Sequence, residues 1–339
     1  MRFLALLACL ALACSGLLAA GLPSVALIYA KDAPLDELKA FDIAVVDPDH
    51  GFDPASYRAV QRTEAGADAA SELFAYVSLG EVHPSRAWAS RVPAGWRLGE
   101  NTAWSSHLID QARPEWTEFF TETVVAPLWA RGYRGLFIDT MDSYRLASGA
   151  DLAAQQAGIV RTLRHLRQRF PGIRLILNRG FEFLPELRGE IHAIAAESLY
   201  QGWSPVSRSY RQVPEADREW LRTQLRQARD EFGLPAIAID YVAPHDRALA
   251  RETAGRILAE GFIPWVADPD LATLGVGSIE VLPRRILLIH NGKEAARVNV
   301  SSPHRFLEMP LNHLGYVLDY VDVNGPLPAR TDGRYAGVV

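Results

Sequence analysis

From residue 22 onward the chain alternates short apolar runs with longer mixed segments. The runs lie at 25–30, 42–46, 73–79, 135–139, 173–177, 191–195, 236–240 and 262–266. They are rich in Val, Ile, Leu and Ala and are unbroken rather than alternating, as strands buried on both faces are. Between them apolar positions recur at helical spacing over 114–131, 151–170, 214–232 and 246–260. Gly233 and Gly261 stand where the last two helices should stop. Shorter helices are expected over 54–65 and 183–190. Eight strand–helix units are what a (β/α)8 barrel of about 250 residues requires. The pattern therefore predicts an α/β chain with a TIM barrel over 22–281. The rival is a doubly wound sheet, but no Gly-x-Gly-x-x-Gly follows the first run and no phosphate-binding loop is present.

The last segment, 282–339, has a different rhythm. Strands are expected at 285–289, 295–300 and 315–323, with Asn291-Gly292 as a hairpin turn between the first two. This predicts a small C-terminal β-rich extension packed on the barrel. The apolar ending Tyr335-Ala336-Gly337-Val338-Val339 reads as a boundary cut from a longer protein, leading to an absent downstream domain. At the other end, Met1-Arg2 precedes a nearly continuous apolar stretch to Ala20, with small residues around Ala19-Ala20-Gly21. That is the pattern of a secretory signal peptide over 1–20. Two other readings are a membrane anchor and, through Ala11-Leu12-Ala13-Cys14, a lipoprotein. Cleavage is the favoured one, making the mature protein periplasmic or secreted with no transmembrane helix after signal removal.

Composition narrows the function. At 49% apolar and 22% charged residues the chain is an ordinary globular one. Cys9 and Cys14 are its two cysteines, so the mature chain lacks a thiol nucleophile, a disulfide and a thiolate metal site. Removal of the signal takes Arg2 from the 35 basic side chains and leaves all 40 acidic ones. An acidic protein argues against nucleic acid and fits a cationic or neutral ligand. The nine histidines show no metal-binding spacing, so neither metal nor other cofactor is expected. No Gly-x-Ser-x-Gly elbow is present.

A barrel carries its function where the strands end. Here the ends hold Tyr29, Asp49, Glu81, Asp139, Asp142, Tyr144, Asn178, Arg179, Glu197, Tyr200, Asp240, Tyr241 and Trp265. A carboxylate-lined pocket with aromatic side chains suits cleavage of a glycosidic bond. One carboxylate attacks or activates water, and the other keeps a proton for the leaving oxygen. Asp139 could N-cap the next segment, but Asp142 and Tyr144 close behind it favour catalysis. Glu197 is a poor capping residue, which also favours a chemical role. Glu81 and Asp240 read as binding or orienting groups, and Asp49 and Asp142 as either structural or substrate-binding. Asn178 and Arg179 could contact sugar hydroxyls or hold a catalytic carboxylate. Trp88, Trp96 and Trp104 lie in a long connection over 82–112, and Trp203 follows Glu197; each is either a sugar platform or a satellite core.

Five segments taken in order carry a family resemblance: Tyr76-Val-Ser-Leu-Gly-Glu81, Gly135-Leu-Phe-Ile-Asp-Thr-Met-Asp142, Asn178-Arg-Gly-Phe-Glu182, Ala196-Glu-Ser-Leu-Tyr200 and Ile239-Asp-Tyr241. Together they resemble glycoside hydrolase family 114, the endo-α-1,4-polygalactosaminidases. The resemblance implies a (β/α)8 barrel and a cationic amino-sugar polysaccharide substrate, a partly deacetylated α-1,4-linked N-acetylgalactosamine polymer. By it, Asp139 is the nucleophile and Glu197 the general acid/base of a retaining reaction, with Glu81, Asp142 and Asp240 lining the cleft. Some relatives continue into a polysaccharide deacetylase domain near Gly333, and no deacetylase activity is expected of this chain. The competing expectation is a non-catalytic barrel that binds the polymer or docks to exopolysaccharide export machinery.

Overall fold

A computed structural model describes residues 22–31, 35–57, 71–328, 331 and 335–339. The expected signal peptide and most of the helix expected over 54–65 lie outside the described residues. Eight parallel strands form the core sheet: β1 Val25–Ile28, β2 Ile43–Val46, β3 Glu72–Ser78, β4 Gly135–Asp139, β5 Arg174–Asn178, β6 Ala193–Glu197, β7 Ala236–Tyr241 and β8 Ile263–Ala267. They neighbour one another in chain order. The short strand Val276–Gly277 adds antiparallel to β8 and closes the seam against β1. A Cβ on Gly277 would lie 3.2 Å from the Pro264 carbonyl oxygen and 3.3 Å from that of Val25. The fold is thus a (β/α)8 barrel. Every residue of β1, β2 and β8 is buried, which is why these strands read as unbroken apolar runs.

The longer helices fall where helical spacing put them: Leu152–Arg169, Glu215–Asp230 and Arg247–Ala259. The segment 114–131 is helical throughout but widens into a π-helical turn over Phe120–Val125. Pro127 follows that turn, and its missing N–H cannot serve the carbonyl four residues back. Among the described residues no helix is long and apolar enough to cross a membrane.

Three local expectations are corrected. Residues 183–190 form turns behind a 3-10 turn at Phe181–Phe183. Pro185 supplies no N–H, and Gly189 sits at φ 75°, so the segment cannot run as a helix. The strand expected at 295–300 is absent: only a 3-10 turn at Val298–Val300 forms there. Asn291-Gly292 makes no hairpin either. Gly292 instead lets the backbone press against Asp322, donating its N–H to Oδ1 at 3.0 Å. The end segment is a parallel sheet in which Arg285–His290 lies between Val317–Asp322 and Gly337–Val338.

Candidate active site

The C-terminal ends of the strands open into one cleft of about 1150 Å³. At its floor the carboxylates of Asp139, closing β4, and Glu197, closing β6, face each other across β5. Asn178, the last residue of β5, holds both: its Nδ2 donates to Asp139 Oδ1 at 2.8 Å and to Glu197 Oε1 at 3.1 Å. Two N–H bonds of one amide diverge by roughly 120°, so these two oxygens are about 5 Å apart.

The remaining contacts differ between the two. Asp139 also accepts the Thr140 N–H at 2.8 Å and the Tyr76 hydroxyl at 2.9 Å. Glu197 accepts the Tyr241 hydroxyl at 2.6 Å, and Arg179 donates to its carbonyl oxygen at 2.7 Å. Thr140 and Arg179, each one residue beyond a strand end, stand at φ 60° and 62°. Left-handed backbone at non-glycine residues is uncommon and concentrates at functional sites. Gly80, from the loop after β3, packs so closely here that a Cβ would meet the Thr140 carbonyl oxygen at 2.1 Å. Its own N–H donates to the Thr140 hydroxyl at 3.0 Å.

Burial pushes both carboxyl groups above the usual carboxylate range. For Glu197 the adjacent Asp139 charge adds to burial, against the bonds from Tyr241 and Asn178. For Asp139 three donors oppose burial: Thr140, Asn178 and Tyr76. More donors favour the ionised form, and Asp139 accepts from one more donor than Glu197 does. Tyr29, Tyr76 and Tyr241 are pushed well above the phenol range, burial being the first cause. They therefore remain neutral, and the hydroxyls of Tyr76 and Tyr241 donate to the pair.

The model of glycoside-hydrolase family GH114 matches residues 23–285. The chain belongs to this family. It is a glycoside hydrolase. The glycoside hydrolase domain of PelA from Pseudomonas aeruginosa is 38% identical, with a TM-score of 0.69 over 77% of this chain and 100% of that one. Ega3 of Aspergillus fumigatus, solved in complex with galactosamine, shares the fold with a TM-score of 0.53 at 14% identity, over 74% of this chain and 92% of that one. No curated protein matches the sequence.

Of the strand-end residues singled out in the hydrolase sequence, Tyr29, Asp49, Glu81, Asp139, Asp142, Asn178, Arg179, Glu197 and Tyr241 all line the cleft. Glu81 is buried and clamped by the side chains of Asn101, Ser106 and Ser143, so it ties the wall formed by 97–109 to the loop after β4. Tyr144, Tyr200, Asp240 and Trp265 do not line it. Tyr144 is wholly buried and its hydroxyl donates to Glu182. Tyr200 packs beneath the Arg256 guanidinium and donates to Glu260. Trp265 is wholly buried edge-on to Phe41. Asp240 is wholly buried and accepts the N–H groups of Leu199, Tyr200 and Gln201 at 2.6, 2.7 and 2.7 Å. It braces the loop that follows Glu197 rather than meeting a ligand directly.

The tryptophans divide. Trp96 packs edge-on to Trp116 and Phe119 as part of a satellite core. Trp88 touches Phe119 but also lines the cleft. Trp104, 59% exposed, lines it on the same wall, and Trp203 and Trp220 line it further along the chain. Sequence reasoning missed Tyr76 as a site residue, and missed Asp47 and Arg86. The Arg86 guanidinium donates to both oxygens of Asp47 at 2.9 and 3.1 Å and to Asp49 at 2.8 Å, neutralising part of the acidic wall. Among the described residues no three His, Cys, Asp or Glu side chains converge as a metal site.

Proposed function

We propose that this glycoside hydrolase cleaves α-1,4-linked polymers of galactosamine and N-acetylgalactosamine internally, by a retaining two-carboxylate mechanism. The observation that carries the mechanism is the Asn178 bridge. Retaining enzymes hold their carboxyl groups about 5–5.5 Å apart, whereas inverting ones need about 6.5–9.5 Å to seat a water. A shared amide donor favours the shorter spacing. In the first step Asp139 attacks the anomeric carbon from the face opposite the leaving oxygen, while Glu197 gives that oxygen its proton. The sugar is then held as an ester of Asp139. In the second step Glu197, now ionised, takes a proton from water; the water oxygen attacks the same carbon, and Asp139 leaves as carboxylate. Asn178, Tyr76 and Tyr241 hold the pair oriented through both steps.

Substrate class rests on the cleft and on the relatives. Among the described residues, eight carboxylates line the cleft (Asp47, Asp49, Glu81, Asp139, Asp142, Glu197, Asp217 and Asp270) against five arginines and no lysine. An acidic cleft suits a polymer with free amines. The similarity to the PelA hydrolase domain, and the galactosamine bound to Ega3, point the same way. The apolar N-terminal segment supports export of the enzyme to where such a polymer would be met.

The test is depolymerisation. Purified protein is incubated with partly deacetylated α-1,4-galactosaminogalactan, and released oligosaccharides are followed by mass spectrometry beside Asp139→Asn and Glu197→Gln. Oligomers from the unaltered protein and none from either variant are expected. Binding without cleavage would favour the polymer-binding barrel, and cleavage by both variants would mean that other carboxylates do the chemistry.

A further inference from the structure

The helix Glu215–Asp230 follows β6, and two side chains of its first turns, Asp217 and Trp220, line the catalytic cleft together. Three residues apart on a helix, they are neighbours on one face. Trp220 is 50% exposed, an unusual state for so large an apolar side chain at a cleft wall. Its ring is fixed rather than loose: Phe181 meets it edge-on at 6.1 Å, and the Arg179 guanidinium lies 5.8 Å from its centre. Arg179 in turn grips the Glu197 carbonyl oxygen at 2.7 Å. Adding one C–N bond to those two contacts places the indole within about 10 Å of that oxygen, the reach of one or two sugar rings from the reacting bond.

Asp217 contributes the charge. Its carboxylate is exposed, and among the described residues it makes no hydrogen bond or ion pair, unlike Asp47, Asp49 and Glu81 elsewhere on the wall. An acid in a first helical turn is favoured by the helix dipole alone. Set beside a propped, half-exposed indole and facing the same cleft, it has a second use. The apolar face of a pyranose ring stacks on indole, and an ammonium group on that ring would meet the carboxylate.

We propose that Asp217 and Trp220 form an outer subsite for a 2-amino-2-deoxyhexose residue with a free amine, selecting it over its N-acetylated counterpart. The proposal deepens the polymer-hydrolase reading and rests on it for the ligand class. The acetyl group removes the charge, so discrimination comes from Asp217, whereas Trp220 holds either ring.

The test uses binding, so it does not depend on turnover. In the Glu197→Gln protein, affinities for a defined galactosamine oligomer and its fully N-acetylated form are measured by calorimetry, with and without Asp217→Asn or Trp220→Ala. Asp217→Asn is expected to weaken the free-amine oligomer about three- to fivefold and to leave the acetylated one unchanged. The difference should shrink at high salt. Trp220→Ala is expected to weaken both about fivefold. Thermal unfolding, measured alongside, should hardly move for Asp217→Asn. Equal effects of Asp217→Asn on the two oligomers, or no effect on either, would overturn the proposal. A parent protein that binds neither oligomer would instead remove the substrate reading on which it rests.

Discussion

Asp139 and Glu197 share one hydrogen-bond donor, the side-chain nitrogen of Asn178, at 2.8 and 3.1 Å. That link sets their spacing and lowers the proton affinity of each. Asn178→Ala should leave the two carboxyl groups unrestrained in a buried site. We expect kcat/KM to fall about a hundredfold, as misplacement of reacting groups by ~1 Å does. Asn178→Asp should not rescue it, because a carboxylate cannot donate to either neighbour. Steady-state kinetics of both variants checks this.

The two tyrosines give opposite limbs of the pH profile. In the proposed mechanism Glu197 must be protonated to act as acid, and the Tyr241 bond lowers its pKa. Tyr241→Phe removes that opposition, so the alkaline limb of kcat/KM should move to higher pH. Asp139 must be ionised to attack, and the Tyr76 bond lowers its pKa. Tyr76→Phe should therefore move the acid limb to higher pH and cost activity below it. Shifts on the reversed limbs would reverse the roles assigned to the two carboxylates.

The barrel was legible because strands buried on both faces leave uninterrupted apolar runs, and Asp139 and Glu197 because each closes such a run. Which way a strand-end side chain points was not legible. Adjacent strand residues face opposite sides, so Tyr241 enters the cleft while Asp240 turns into the wall to brace 199–201. Tyr76 was passed over because it lies two residues inside β3, yet its ring reaches Asp139. The Asp47–Arg86–Asp49 cluster joins residues 39 and 37 positions apart, a pairing that only the fold creates.

Asp240 links stability to pH. Burial holds its carboxyl at about 6, against an ordinary value of 3.8, although three N–H donors oppose the rise. The folded protein then binds more protons than the unfolded chain between these values. Its stabilising contribution is complete below about pH 4 and is lost as pH rises through about 6. Asp240→Asn should flatten that part of the stability curve. It should also cost about 1–3 kcal/mol, because the amide group turns a donor toward at least one of the three N–H groups. Chemical denaturation at pH 4, 5, 6 and 7 measures both effects.

Gly80 tests how tightly the backbone positions Asp139, the proposed nucleophile. A methyl group there would need space held by the Thr140 carbonyl, one residue from Asp139. Gly80→Ala should lower stability by about 1–3 kcal/mol and reduce kcat more than it raises KM. Unchanged kcat in a folded variant would show that this contact has no part in positioning Asp139.

The retaining two-carboxylate mechanism is tested most directly by the stereochemistry of the first product. Proton NMR can follow the anomeric signal while the unaltered protein cleaves the α-1,4-linked polymer, before mutarotation mixes the forms. The carboxylate spacing set by Asn178 predicts that the α-anomer of the new reducing end appears first and the β-anomer only later. Initial appearance of the β-anomer would contradict it, and would require a water between Asp139 and the sugar.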